Sequence, residues 1–394
     1  MVALSAMVTV TAAGCDGSNE QTIDNARRDE GGGDDDDDDE GSEDDDPSSG
    51  SGGPMPALPS ETADGDASAP DDDDDDGVIG TDCENEYCVT EIDDPGAVWK
   101  CEGRQHSCME DYLAFPSLAE PFAHPISEAA LERQINEILK GDVPTRTKAI
   151  APEALAGLLT DAMNVGFLRD GINKRPLTVT QTYAIETETY RERELLFTDP
   201  YVGTFKGLLL TPLGDGPHPA VIALHGHWDT PESYRDFNGG ADFPQRGLAI
   251  LILAVRVFGA DENEDLVTRI MLRSGFSMMA IRHYETLLGL RYLQYRENVD
   301  NDRIGLIGHS GGSVASNLTI RLEPAFRAYV SDCEGIYFNI GLDGLLIDET
   351  TPALYPFYPL INDFATSPRP VLDVPYGYAG EVDAIFAFFT DRLS

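Results

Sequence analysis

Apolar positions in this chain follow two periods, and the contrast is sharpest in its second half. Residues 219–224 and 247–255 are unbroken apolar runs of strand length, each bounded by glycine or proline, as strands buried on both faces are. Residues 278–296 are long enough and periodic enough for a crossover helix, with Met279, Leu287, Leu290 and Leu293 spaced along one face. The pattern then predicts a strand over 303–308, a helix from Gly311 to about Leu322 and a strand over 326–331. Upstream, 127–140 and 152–166 read as two amphipathic helices. Strand and helix alternating in this way predict the α/β class, a mostly parallel sheet flanked by helices, here with an N-terminal helical extension.

The junction between the strand over 303–308 and the helix after it reads Gly308-His309-Ser310-Gly311-Gly312. A serine on a sharp strand-to-helix turn projects its Oγ beyond the sheet, and only glycine lets the neighbouring backbone pass that close. Ser310 is therefore the candidate nucleophile. The helix that follows offers unpaired N–H groups, so the Gly311 amide is a candidate oxyanion donor.

With this elbow, and with the His225-Gly226-His227 run that ends the strand over 219–224, the chain resembles the α/β-hydrolases, and within them the acetyl-xylan-esterase and dienelactone-hydrolase-like group. The resemblance runs from about Leu177 to the C-terminus and includes Arg256-Val257-Phe258-Gly259, similar to a degraded form of that group's R-G-x-G turn. It implies an α/β-hydrolase fold and a carboxylic-ester hydrolase working through an acyl-serine on a small-molecule or polysaccharide ester, with no cofactor and no metal. It also implies that the backbone N–H of His227 is the second oxyanion donor. His225 reads as a loop-orienting histidine bonded to backbone.

The resemblance breaks at the base. The usual order in this fold is nucleophile, acid, histidine, but the seven histidines are 106, 124, 218, 225, 227, 283 and 309, and none follows Ser310. A serine hydroxyl needs an adjacent base, so ordinary triad catalysis is in question. His227 is the candidate substitute because its loop must lie near Ser310. His283 reads as a half-buried packing residue and His309 as pointing away from Oγ, while Asp332 is either an early-placed acid or a strand-end cap. In one alignment of the tail, 371–374 is the seventh strand, and Glu381, or Asp383, is nearest the acid position. In the other, 371–374 is the last strand, 384–389 belongs to the closing helix, and Tyr378 stands where the histidine belongs. A catalytically impaired hydrolase fold serving as a surface binding or structural module is the alternative function.

Charge alters the picture at the N-terminus. The chain has 71 acidic and 27 basic residues, and residues 1–80 hold 25 of the acids and two of the bases. The uninterrupted runs Asp34 to Asp39 and Asp71 to Asp76 lie among Gly, Ser and Pro, which predicts an extended tether over 16–80. So negative a surface repels phosphates, which argues against a nucleic-acid partner. Ahead of the tether, residues 1–15 are a short apolar run ending Ala12-Ala13-Gly14-Cys15, similar to a signal peptide with a lipobox in which Cys15 is lipidated. The expectation is an exported bacterial envelope lipoprotein or extracellular protein, held to the membrane by a lipid anchor. In an exported chain the cluster Cys83, Cys88, Cys101 and Cys108 predicts two disulfides stapling an 81–125 segment, with three connectivities open, and Cys333 stays apart. The hydrolase domain then occupies 126–394.

Overall fold

The computed structural model describes residues 85–98, 125–227, 229–258, 261–332, 340–341, 344–345, 351–375 and 377–394. Cys15, Cys83, Cys101, Cys108 and Cys333, the leader over 1–15 and the tether over 16–80 lie outside them.

Nine strands form one sheet: β1 (Val89–Asp93), β2 (Leu177–Glu186), β3 (Tyr190–Asp199), β4 (Gly203–Pro212), β5 (His218–Leu224), β6 (Ala249–Leu253), β7 (Val299–His309), β8 (Phe326–Asp332) and β11 (Val371–Val374). The two-residue strands β9 (Ile340–Gly341) and β10 (Gly344–Leu345) make a separate antiparallel ladder. The large sheet runs β1-β2-β3-β4-β6-β5-β7-β8-β11. It is antiparallel from β2 to β6, and parallel from β6 through β5, β7 and β8 to β11. β1 lies parallel to β2, so the stretch after Cys88 contributes an edge strand.

The apolar runs are explained by burial on both faces. Along β5, Ala220, Ile222 and Leu224 enter one core while Val221 and Ala223 enter the other, and β6 divides the same way, Leu251 and Leu253 against Ile250 and Ile252. The larger core lies under α2 (Pro152–Met163), α5 (Met278–Tyr295) and α6 (Gly311–Leu322), and the smaller under α3 (Pro231–Phe237) and α7 (Tyr378–Arg392). α1 (Glu128–Leu139) packs on α4 (Asp261–Arg273) through Leu131, Ile135 and Leu272.

Two expectations change. α5 shows more than one apolar face: every residue from Met278 to Leu293 is buried. Several of its polar groups find partners inside, Glu285 with Arg256, Arg282 donating to the Arg256 carbonyl at 3.0 Å and Tyr284 to Asp199 at 2.9 Å. At the tail, β11 takes the outer place beside β8 and α7 follows at once. Tyr378 opens that helix and donates to Asp242 at 3.0 Å.

Candidate active site

The strand order reverses at β5 and β7, which lie side by side with Leu224 opposite Gly308. From β5 the chain crosses to β6 on one side, and from β7 to β8 on the other. Such a reversal leaves a crevice at the carboxyl ends of the strands, where ligands of open α/β sheets bind. The two loops meeting there are His225-Gly226-His227 and the elbow at Ser310.

Ser310 has φ 49° and ψ −122°, a backbone region that non-glycine residues rarely adopt and that costs on the order of 1–3 kcal/mol. The turn is held by its neighbours. The Ser310 N–H donates to the Asp332 carbonyl at 3.1 Å, and the Ser313 hydroxyl donates to the same carbonyl at 3.0 Å and to that of Gly308. A Cβ at Gly308 would stand 2.4 Å from the Gly312 oxygen, and one at Gly312 would stand 2.2 Å from the Leu224 oxygen, so glycine is required at both places. The Ser310 side chain caps no helix bond, and the residue is exposed at the end of the sheet. Gly311 opens α6, where the first N–H groups have no intrahelical acceptor.

The histidines separate by environment. Nε2 of His225 accepts from the Val255 N–H at 2.9 Å, so Nδ1 carries the proton and donates to the Gly226 carbonyl at 2.9 Å. Burial pushes this imidazole down to about 4, and with both nitrogens engaged it ties the β5 loop to the end of β6, as a loop-orienting histidine does. His283 is fully buried, beyond the half-burial expected. It meets Thr319 at 3.1 Å, and burial first, then the Arg169 charge, pushes it down to about 3. His227 stacks on Phe258 at 4.0 Å, and a Cβ at Gly311 would lie 2.7 Å from its Nδ1 and 2.7 Å from the Phe258 ring. Val257, at φ 69°, holds the turn that delivers this ring, a costly conformation for a β-branched residue.

His309, expected only to point away from Oγ, is paired with Asp332. It and Asp332 are register partners at the ends of β7 and β8, and its Nδ1–H donates to Asp332 Oδ2 at 3.1 Å. Burial lowers this imidazole's pKa, but the hydrogen bond and charge of Asp332, with the charge of Asp229, outweigh it and the net shift is upward. Asp332 is fully buried, and its Oδ1 has no partner among the described residues. The structure thus brings together Ser310, Gly311, His227, His309 and Asp332. Glu381 lies in the first turn of α7, and Asp383 pairs with Arg246 at 3.1 Å. The carboxylate that meets this imidazole is that of Asp332, at the end of β8. Among the described residues, no group of three or more His, Cys, Asp or Glu side chains is arranged to hold a metal ion.

No family model matches the chain. The "Putative hydrolase YtaP" of Bacillus subtilis is 25% identical over 201 residues, which span 47% of this chain and 63% of that protein, less than two thirds of its length. Among solved structures, a "putative acetyl xylan esterase" from Bacteroides fragilis aligns with a TM-score of 0.49 at 16% identity, over 64% of this chain and 75% of that one. An acetyl xylan esterase from Paenibacillus sp. R4 aligns with a TM-score of 0.44 at 12% identity, over 66% of this chain and 99% of that one. A sheet whose order reverses where a strained serine stands between two obligatory glycines is the arrangement of the α/β-hydrolase fold, and this chain has that fold.

Proposed function

We propose that the protein is a serine hydrolase of carboxylic esters, of small molecules or of polysaccharides, exported and held to the envelope through a lipidated Cys15. The observation that carries the reading is the conformation of Ser310. Strain of this kind persists only where surrounding structure over-determines it, and here it presents an exposed hydroxyl that caps nothing. In this reading Oγ attacks the ester carbonyl carbon and loses its proton to a base. The Gly311 and His227 backbone N–H groups receive the developing oxyanion, and the alcohol departs with a returned proton. Water then cleaves acyl-Ser310 by the same route. The substrate class rests on the resemblance to the acetyl-xylan-esterase and dienelactone-hydrolase-like group.

The absence of a histidine between Ser310 and Ser394 favours a second reading, a catalytically impaired fold used as a binding or structural module. One measurement separates the two. Purified protein should hydrolyse p-nitrophenyl acetate above the buffer rate, and Ser310→Ala should abolish that activity. Equal rates for wild type, Ser310→Ala and buffer would leave the module reading standing.

A further inference from the structure

We propose that His309, inside the elbow, is the general base for Ser310 and that Asp332, at the end of β8, is its positioning residue. The inference rests on the reading of Ser310 as an ester-cleaving nucleophile. Its geometric basis is the place where the two side chains converge. A Cβ at Gly226 would stand 3.0 Å from Ser310 Cβ and 3.1 Å from His309 Cδ2, so the serine side chain and the imidazole ring both border Gly226. Nδ1 is committed to Asp332 Oδ2, which fixes the tautomer and leaves Nε2 as the nitrogen that accepts a proton.

Asp332 organises both partners. Its backbone carbonyl accepts from the Ser310 N–H, its carboxylate holds the His309 ring, and its remaining oxygen has no partner among the described residues. The carboxylate is fully buried, so its charge acts on the imidazole with little screening by water. His309 stays partly open, its side chain 17% exposed. The charged groups facing it are Asp332 from β8 and Asp229 from the loop after β5, and both stabilise the imidazolium that forms during transfer. His227 stands on the Gly311 side with its ring stacked on Phe258, where its backbone serves the oxyanion.

The proton balance is closed. The Ser310 O–H bond breaks as Oγ bonds to the carbonyl carbon, and the proton moves to His309 Nε2. It passes to the departing alkoxide as the acyl carbon–oxygen bond breaks, and water repeats the cycle on the acyl-enzyme.

The test is the pH dependence of kcat/KM for p-nitrophenyl acetate with the full chain. Wild type should lose activity on the acid side with a midpoint above the ordinary imidazole value of about 6.5, because the base works only when neutral. His309→Gln should lower kcat/KM by about 10² to 10⁴-fold and erase that limb. Asp332→Asn should move the midpoint downward, a change that a purely structural role does not produce and that can be read even if His309→Gln fails to fold. An acid limb that survives in folded His309→Gln, or an unmoved midpoint in Asp332→Asn, overturns the assignment while leaving Ser310 as nucleophile; loss of the limb in His227→Gln in its place would overturn it in favour of His227. No turnover by wild type beyond Ser310→Ala would instead remove the esterase reading itself.

Discussion

Individual side chains at this site are constrained by their neighbours' backbones. His225 shows the consequence for pH. Its folded pKa, about 4, lies below the ordinary 6.5, so the fold holds the neutral ring while the unfolded chain takes up a proton below 6.5. Its contribution to stability is complete above that pH and is lost as pH falls through 6.5 toward 4. Denaturant titrations between pH 7 and 4 should show wild type weakening steadily, and His225→Asn, less stable at pH 7, should show a shallower decline. Parallel declines would mean that the ring is not held neutral. Ser310, Gly308, Gly312 and the orienting role of His225 were legible in the sequence because each follows from local sterics or from the residues beside it. The partnership of His309 with Asp332 was not, since 22 residues and a whole helix intervene and only strand register brings the two together.

Among the secondary-structure elements, the helices read at 127–140, 152–166, 278–296 and 311–322 lie close to their observed bounds, whereas of the sheet's strands β1 to β4 were not read and the burial of α5 was understated. An unbroken apolar run such as Ala249–Leu253 reports burial on both faces directly. α5 does not, because periodicity counts arginines and glutamates as solvent-facing, whereas Arg282, Glu285 and Arg291 are buried, Glu285 paired with Arg256 and each arginine donating to a backbone carbonyl. Gly289 shows how closely the helix lies on the sheet: a Cβ there would come within 2.9 Å of Leu253. Removing one member of a buried pair leaves the other charge uncompensated. Glu285→Ala should therefore cost about 3–5 kcal/mol in equilibrium unfolding, since Glu285 and Arg256 are each 4% exposed at the side chain. Glu186→Ala, which opens the exposed pair with Arg191, should cost no more than about 1 kcal/mol. Similar losses for the two would show that α5's ion pair is not buried as described.

For the molecule as a whole, residues 1–80 carry about half of the net negative charge and include the proposed lipidation site Cys15. No helix among the described residues is long and apolar enough to cross a membrane; the proposed attachment is through Cys15. Cys15→Ser should move the protein from the membrane fraction to the soluble fraction of expressing cells, and unchanged fractionation would reject the lipid anchor. The order of the sheet carries a kinetic consequence as well. β5 and β7 are neighbours in space, yet β6, α4 and α5 all separate them along the chain. Parallel pairings across so much chain close a large loop before any contact repays it, so they form slowly. The elbow depends on that pairing, because Gly312 rests on the Leu224 carbonyl and Ser310 on that of Asp332. During refolding from denaturant, helix signal should therefore return before any reactive serine does, and a chain caught halfway carries bare strands such as Val221 to Leu224 without the chemistry they were built to hold.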